Sequence, residues 1–223
     1  REYMAALLTS VLDVPGKVSE YIAAAREMGI RVLPPDVNSS EDGFSVAGQD
    51  IRFGLAAIKN VGRTFMRHVV EERAQNGAYH SLSDFCERLY ERDLNRRALE
   101  SLIQAGAFDS MGCRRSQLLA VYERVVDAVA NERRKNVEGQ LDLFGMGVDS
   151  VQDSEIVLPD VPELDRKELL ALEKQTTGLY LSGHPMDAYQ DLAVRADAAR
   201  IRKINDDLSA DADEPYYKDG MIV

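Results

Sequence analysis

The spacing of the apolar residues changes sharply at Gly54, and that change limits the folds open to this chain. Before it, "GFSVAGQDIRFG" alternates apolar and polar residues on both sides of "AGQD", the pattern of a β-hairpin. After it, apolar residues recur every three to four positions. "LAAIK", "RTFMRHVVEERA", "SLSDFCERLY", "LNRRALESLIQAG" and "RRSQLLAVYERVVDAVANERRK" are five predicted helices. Their joints are short and contain Gly or Asn. Ser81 and Asn95 sit where N-caps belong, and Gly106 where a helix ends in the left-handed conformation. Ahead of the hairpin, "YMAALLTSVL" and "VPGKVSEYIAAAREMG" read as helices, the second opened by Pro15 and stopped by Gly29. "IRVLPPDVN" reads as a short strand broken by Pro34 and Pro35. The expected fold class is mainly α with a small β-hairpin.

Periodicity lapses from about Asn136 to Pro162, a stretch of Gly, Asp, Val and Pro that reads as a linker. Within it "GQLDLFG" sets Leu141, Leu143 and Phe144 between two glycines, a poor arrangement for a core helix and an apolar one for a linker. Helix returns at "ELDRKELLALEKQ", followed by "TTGLYLSGHP" and a short helix around "MDAYQDLAV". "YYKDGMIV" reads as a turn and the first residues of a buried strand. With Arg1 at the start and a lone strand at the end, the chain is expected to be an internal piece of a longer protein. No repeat of 20–50 residues is visible.

The chain has 223 residues, 45% hydrophobic and 29% charged, which suits one or two globular domains. No apolar run reaches the roughly 18–20 residues that span a bilayer. Cys86 and Cys113 lack metal-ligand spacing and read as ordinary thiols of a reducing cytoplasm. The net charge of −11 argues against nucleic acid, but its distribution does not. Residues 52–135 carry 15 Lys and Arg against 11 Asp and Glu, between acidic flanks. Phosphate contacts, if any, belong in that block.

Within it, "LAAIKNVGRTFMRHVVEER" reads as a helix ending near Ile58, a tight turn at Asn60–Gly62 and a second helix from Arg63. Asn60 tolerates the left-handed conformation, Gly62 needs no room for a Cβ, and Val61 would tuck inward between the helices. The first N–H groups of the second helix would then face outward with the positive end of the dipole behind them, a phosphate site. Lys59 and Arg63 flank it. The arrangement resembles the helix-hairpin-helix motif, which grips DNA backbones without reading sequence, with Asn60 in place of the usual first glycine. "LIQAGAFDSMGCRRSQLL" reads as a more degenerate second unit. Its Arg114 and Arg115 open a helix against the dipole, which is more natural where an anion neutralises them.

No catalytic constellation stands out. Nucleotide-binding glycine loops are absent, and His68, His80 and His184 are far apart. His68 reads as a surface residue and His184, before Pro185, as part of a tight turn. Asp84 follows the hairpin at about the distance of a DNA glycosylase's catalytic Asp, but in "SLSDF" it reads as a first-turn carboxylate working with Ser81.

Taken in order, "LPPDVN", "IRFGLAAIKNVG", "LNRRALESLIQAGAFDSMG", "GQLDLFG" and "GLYLSGHPMDAY" resemble the alpha subunits of bacterial replicative DNA polymerase III. The resemblance covers nearly the whole chain. It implies the end of the fingers region at 1–50, a helix-hairpin-helix domain at 51–135, a linker at 136–162, a helical connector at 163–215 and the start of an OB domain at 216–223. It implies DNA contacts at Lys59, Asn60, Val61, Gly62, Arg63 and Thr64, with Arg114 and Arg115 from the second unit. It further implies that Gln140, Leu141, Asp142, Leu143 and Phe144 bind the sliding clamp, with Gln140 at the mouth of the clamp's pocket and the apolar side chains inside. The polymerase carboxylates of such proteins, with their Mg2+, lie in the palm, so this segment would catalyse nothing alone. Duplex DNA, the clamp and other replicase subunits are the implied partners. The alternative is a non-catalytic adaptor that binds DNA and clamp in repair.

Overall fold

The computed structural model describes residues 1–137, 157–196, 198–199, 201–209 and 216–217. Residues 1–182 and 183–223 form two separate compact units. The boundaries that the resemblance implies at 50/51 and 162/163 both fall inside the first unit, and its packing runs across them.

In that unit, α1 (Glu2–Ser10) and α2 (Pro15–Glu27) pack against each other, with Leu8 and Ile22 fully buried. Pro15 stands at the first helical position, where its missing N–H costs nothing. β2 (Ser45–Ala47) and β3 (Asp50–Arg52) are the expected hairpin. β1 (Val32–Leu33) joins it on the far side, parallel to β3, with Val32 beside Ile51. Two residues carry no period, so neither that partner nor its direction could be read in advance.

"LAAIK" is not a full helix. It forms one 3-10 turn, Leu55–Ala57. The N–H groups of Leu55 and Ala56 donate to the carbonyls of Glu41 and Asp42, and Ile58, buried, is already extended at φ −76° and ψ 131°. The Lys59 N–H, which a longer helix would direct at the Leu55 carbonyl, donates instead to Thr176, so the helix stops after one turn.

Helices α3 (Arg63–Asn76), α4 (Leu82–Leu89), α5 (Arg96–Gln104) and α6 (Arg115–Val137) follow as expected. Ser81 accepts from the Asp84 N–H at 3.1 Å and caps α4, while Asp84 accepts the His80 N–H at 2.9 Å. Phe85 of α4 is the centre of the core. Its ring meets Phe65, Tyr79 and Phe108 edge to face, at centroid distances of 6.4, 4.9 and 5.1 Å. One side chain therefore holds α3 and α4 to the loop leading into α6. α7 (Arg166–Thr177) closes the unit and starts with a capping box, Asp165 and Glu168 each accepting the other's backbone N–H.

The second unit contains a 3-10 turn (Pro185–Tyr189), α8 (Gln190–Arg195) and α9 (Ile201–Ser209). His184 starts the turn: its Nδ1 accepts the Met186 N–H at 3.2 Å, and its own N–H donates to Asp187 at 2.7 Å. That is the structural role expected of it. The predicted terminal strand falls largely on 218–223, outside the described residues. No described helix is long and apolar enough to cross a membrane.

Candidate nucleic-acid interface

Lys59, Asn60, Val61, Gly62, Arg63 and Thr64 lie together in the turn entering α3. Asn60 is left-handed at φ 65°, as its type allows. Val61 is half-buried against the core, while Lys59, Asn60, Gly62, Arg63 and Thr64 are exposed. Phe65 and Met66 anchor the first turn of α3 from beneath. The turn is held at two points. The Lys59 N–H donates to the Thr176 carbonyl at 2.9 Å, and Asn60 Nδ2 donates to Ser101 Oγ at 3.2 Å. Arg63 lies 3.4 Å from Asp13, a pair too exposed to tie the guanidinium down. Arg67, four residues on, is exposed on the same face of α3, a cation that the sequence reading passed over although the spacing marks it.

Among the described residues the chain builds this turn three times. Asn60, Asp93 and Gly112 are left-handed at φ 65°, 64° and 75°. The residue after each, Val61, Leu94 or Cys113, is half-buried against the core. Three positions beyond each, Arg63, Arg96 or Arg115 is the first residue of a helix.

The three differ in what meets the helix N-terminus. At α5, Asn95 accepts the Ala98 N–H at 2.8 Å. At α6, the Glu163 carboxylate accepts the N–H groups of Arg115 at 2.8 Å and Ser116 at 3.0 Å. Burial works against that charge, but the N–H groups of Ser116, Leu164 and Arg115 outweigh it and hold the carboxyl below its ordinary value. At α3, no described side chain caps the helix, and no acidic residue stands in its first turn. Its leading N–H groups cannot be satisfied within the helix.

Arg115 has its neutralising anions within the chain itself, while Arg114 makes a pair as exposed as that of Arg63. Arg115 is buried and bound to Asp109 at 2.6 Å, to Glu173 at 3.1 Å and to the Gln104 carbonyl, so it is no surface ligand for phosphate. Arg114 donates to Asp160 at 3.1 Å and to the Val161 carbonyl at 2.8 Å. These carboxylates lie up to 58 residues away along the chain, which is why the sequence suggested an external anion. His68, expected at the surface, is half-buried, with its Nδ1 enclosed and without a hydrogen-bond partner among the described residues.

A family profile described as "Helix-hairpin-helix motif" matches residues 29–118, which include all three turns. Proteins called DNA polymerase III subunit alpha are similar over most of the chain. The one from Saccharopolyspora erythraea is 44% identical over 198 residues, covering 86% of this chain and 16% of its own length. The one from Mycobacterium tuberculosis (strain H37Rv) is 41% identical over 216 residues, 95% of this chain and 18% of its own. The one from Thermus aquaticus is 44% identical over 191 residues, 86% and 15%. By sequence this chain matches a segment of the DNA polymerase III alpha family. It spans less than a fifth of the length of those relatives.

In this alpha-family segment, neither backbone angle nor crowding requires a glycine at Gly62, the N-cap residue of α3. Its φ of −73° suits any residue, and a Cβ built on it would meet nothing within 4 Å. The space a side chain would take lies open beside the uncapped end of α3. The second predicted site, Gln140 to Phe144, lies outside the described residues. Among the described residues, no group of three or more His, Cys, Asp or Glu side chains could hold a metal ion.

Proposed function

We propose that this segment grips duplex DNA by its phosphates at the α3 turn and fastens to a sliding clamp through Gln140, Leu141, Asp142, Leu143 and Phe144. It would thereby lend processivity to a longer cytoplasmic DNA polymerase whose catalytic carboxylates and Mg2+ lie elsewhere in the protein. On this reading residues 1–50 end the fingers region, 51–135 bind DNA, 136–162 carry the clamp peptide, 163–215 connect, and 216–223 begin an OB domain.

The observation that carries the DNA half is the contrast among the three turns. Two helix N-termini are met by Asn95 and Glu163, while α3 keeps an uncapped one beside Lys59, Arg63, Thr64 and a glycine with open space before it. A phosphate would supply the missing acceptors. The contact reads backbone and not bases, so binding should be blind to sequence.

Similarity to the alpha subunits and the "QLDLF" sequence support the clamp half. Burying each Leu or Phe is worth about 1.5–3 kcal/mol, less the cost of ordering the peptide. Two such modest attachments on one chain raise each other's effective concentration, with gains of order 10²–10⁴.

The test has two arms. Duplex DNA is titrated at rising salt: log K should fall linearly with log salt, and Lys59→Ala or Arg63→Ala should each flatten the slope by about one. An affinity that ignores salt sinks the DNA half. A bacterial sliding clamp is titrated with the chain and with the Gln140→Ala, Leu143→Ala, Phe144→Ala triple variant. Equal binding by both sinks the clamp half.

A further inference from the structure

We infer that Arg115 and Glu173 are positioning residues for the DNA-contacting turn: they touch no DNA, but they lock α7 in place so that its Thr176 carbonyl holds the turn at Lys59. The inference rests on the proposed reading of the α3 turn.

The linkage is continuous. Glu173 is 1% exposed and Arg115 6%, so the pair is shielded from solvent. One Glu173 oxygen takes Arg115 Nη2 at 3.1 Å, and the other takes the N–H groups of Leu181 and Ser182 at 3.2 and 3.1 Å. Arg115 is gripped in turn by Asp109 and the Gln104 carbonyl. Glu173 thus fastens α7 to the end of α5 and the start of α6. One turn further along α7, the buried Thr176 offers its carbonyl to the Lys59 N–H at 2.9 Å.

The passage for Arg115 is built for it. Gly106 has φ 80°, and a Cβ there would lie 2.2 Å from Arg115 Nη2. The glycine that ends α5 is therefore also the floor on which the guanidinium lies. Removing one member of a buried pair leaves the other uncompensated, whereas replacing both with apolar residues is often tolerated. The two effects separate a positioning role from a contact.

The experiment is a salt series of duplex-DNA titrations on the full chain, with amide hydrogen exchange measured at Lys59. Glu173→Gln should weaken DNA binding about two- to thirtyfold, the range of remote coupling, and leave the salt slope unchanged. It should also speed exchange of the Lys59 N–H. Gly106→Ala, which displaces Arg115 without touching Glu173, should do the same. The double variant Arg115→Met, Glu173→Leu should keep the original slope whatever its affinity, and it serves where a single variant folds poorly. A slope reduced by about one in that double variant would make Arg115 a phosphate ligand and overturn the inference. Unchanged affinity and unchanged Lys59 exchange in Glu173→Gln would overturn it too. Failure of the DNA reading itself shows in the unaltered chain, as salt-independent binding or none, and takes the inference with it.

Discussion

Asn60 and Ser101 are joined by one hydrogen bond, Nδ2 to Oγ at 3.2 Å, which ties an exposed turn to the buried face of α5. Asn60 therefore does two things: it adopts φ 65°, and it tethers. The two are separable. Asn60→Gly keeps the conformation and loses the tether, while Asn60→Ala loses the tether and strains the backbone. The alanine variant should be the less stable by about 1 kcal/mol. Urea unfolding of both decides it, and equal losses would mean that the conformation is not what asparagine supplies.

Gly62 separates stability from function. Its φ of −73° and the open space beside it let an alanine fit without strain. Gly62→Ala should change stability little, since a gain of about 0.4–1 kcal/mol through the unfolded chain is opposed by alanine's poorer fit at an N-cap. DNA affinity should nonetheless fall, because the methyl occupies the approach to the α3 N-terminus. A variant that binds DNA as before would remove the close approach from the proposal.

Glu163 gives a pH signature. Its carboxyl is held below the ordinary 4.5 by backbone N–H groups that overcome burial. A carboxylate depressed in the folded state stabilises it fully above the unfolded value, and that share is lost as pH falls through the folded value. The stability gap between the chain and its Glu163→Gln variant should therefore be constant near neutrality and shrink on acidification below about pH 4.5. Denaturant midpoints at several pH values measure it; a gap that widened in acid would contradict the capping role.

The two thiols should differ in reactivity. Burial, with a smaller contribution from Glu87, pushes Cys86 up to about 12, whereas Cys113 is half-buried in the turn before α6. Only the thiolate attacks an alkylating reagent. Iodoacetamide at pH 8 should label Cys113 first and reach Cys86 only on unfolding, which peptide mass mapping would resolve. Labelling of Cys86 at the same rate would mean that the core around Phe85 opens readily.

The features legible in the sequence are those set within a few residues. Pro15 can open a helix because of its own ring, and Ser81 and Asn95 cap helices through N–H groups three positions away. The β2–β3 hairpin and the turn at Asn60–Gly62 are equally local, so period and residue type announced them. Other features depend on partners far along the chain. Ile58 is extended and the Lys59 N–H bonds to the Thr176 carbonyl, which ends the first helix of the hairpin after one turn. β1 had no pattern until β3 lay beside it. Arg115 looked like a surface cation because its anions, Asp109 and Glu173, stand on other elements. Whether a helix N-terminus is free for a phosphate is the same kind of question: the three turns look alike locally, and it took Glu163, 48 residues from Arg115, to fill one of them. Helices and turns follow from short-range sterics and backbone hydrogen bonding; which charges remain outside depends on where chain folding brings carboxylates from elsewhere.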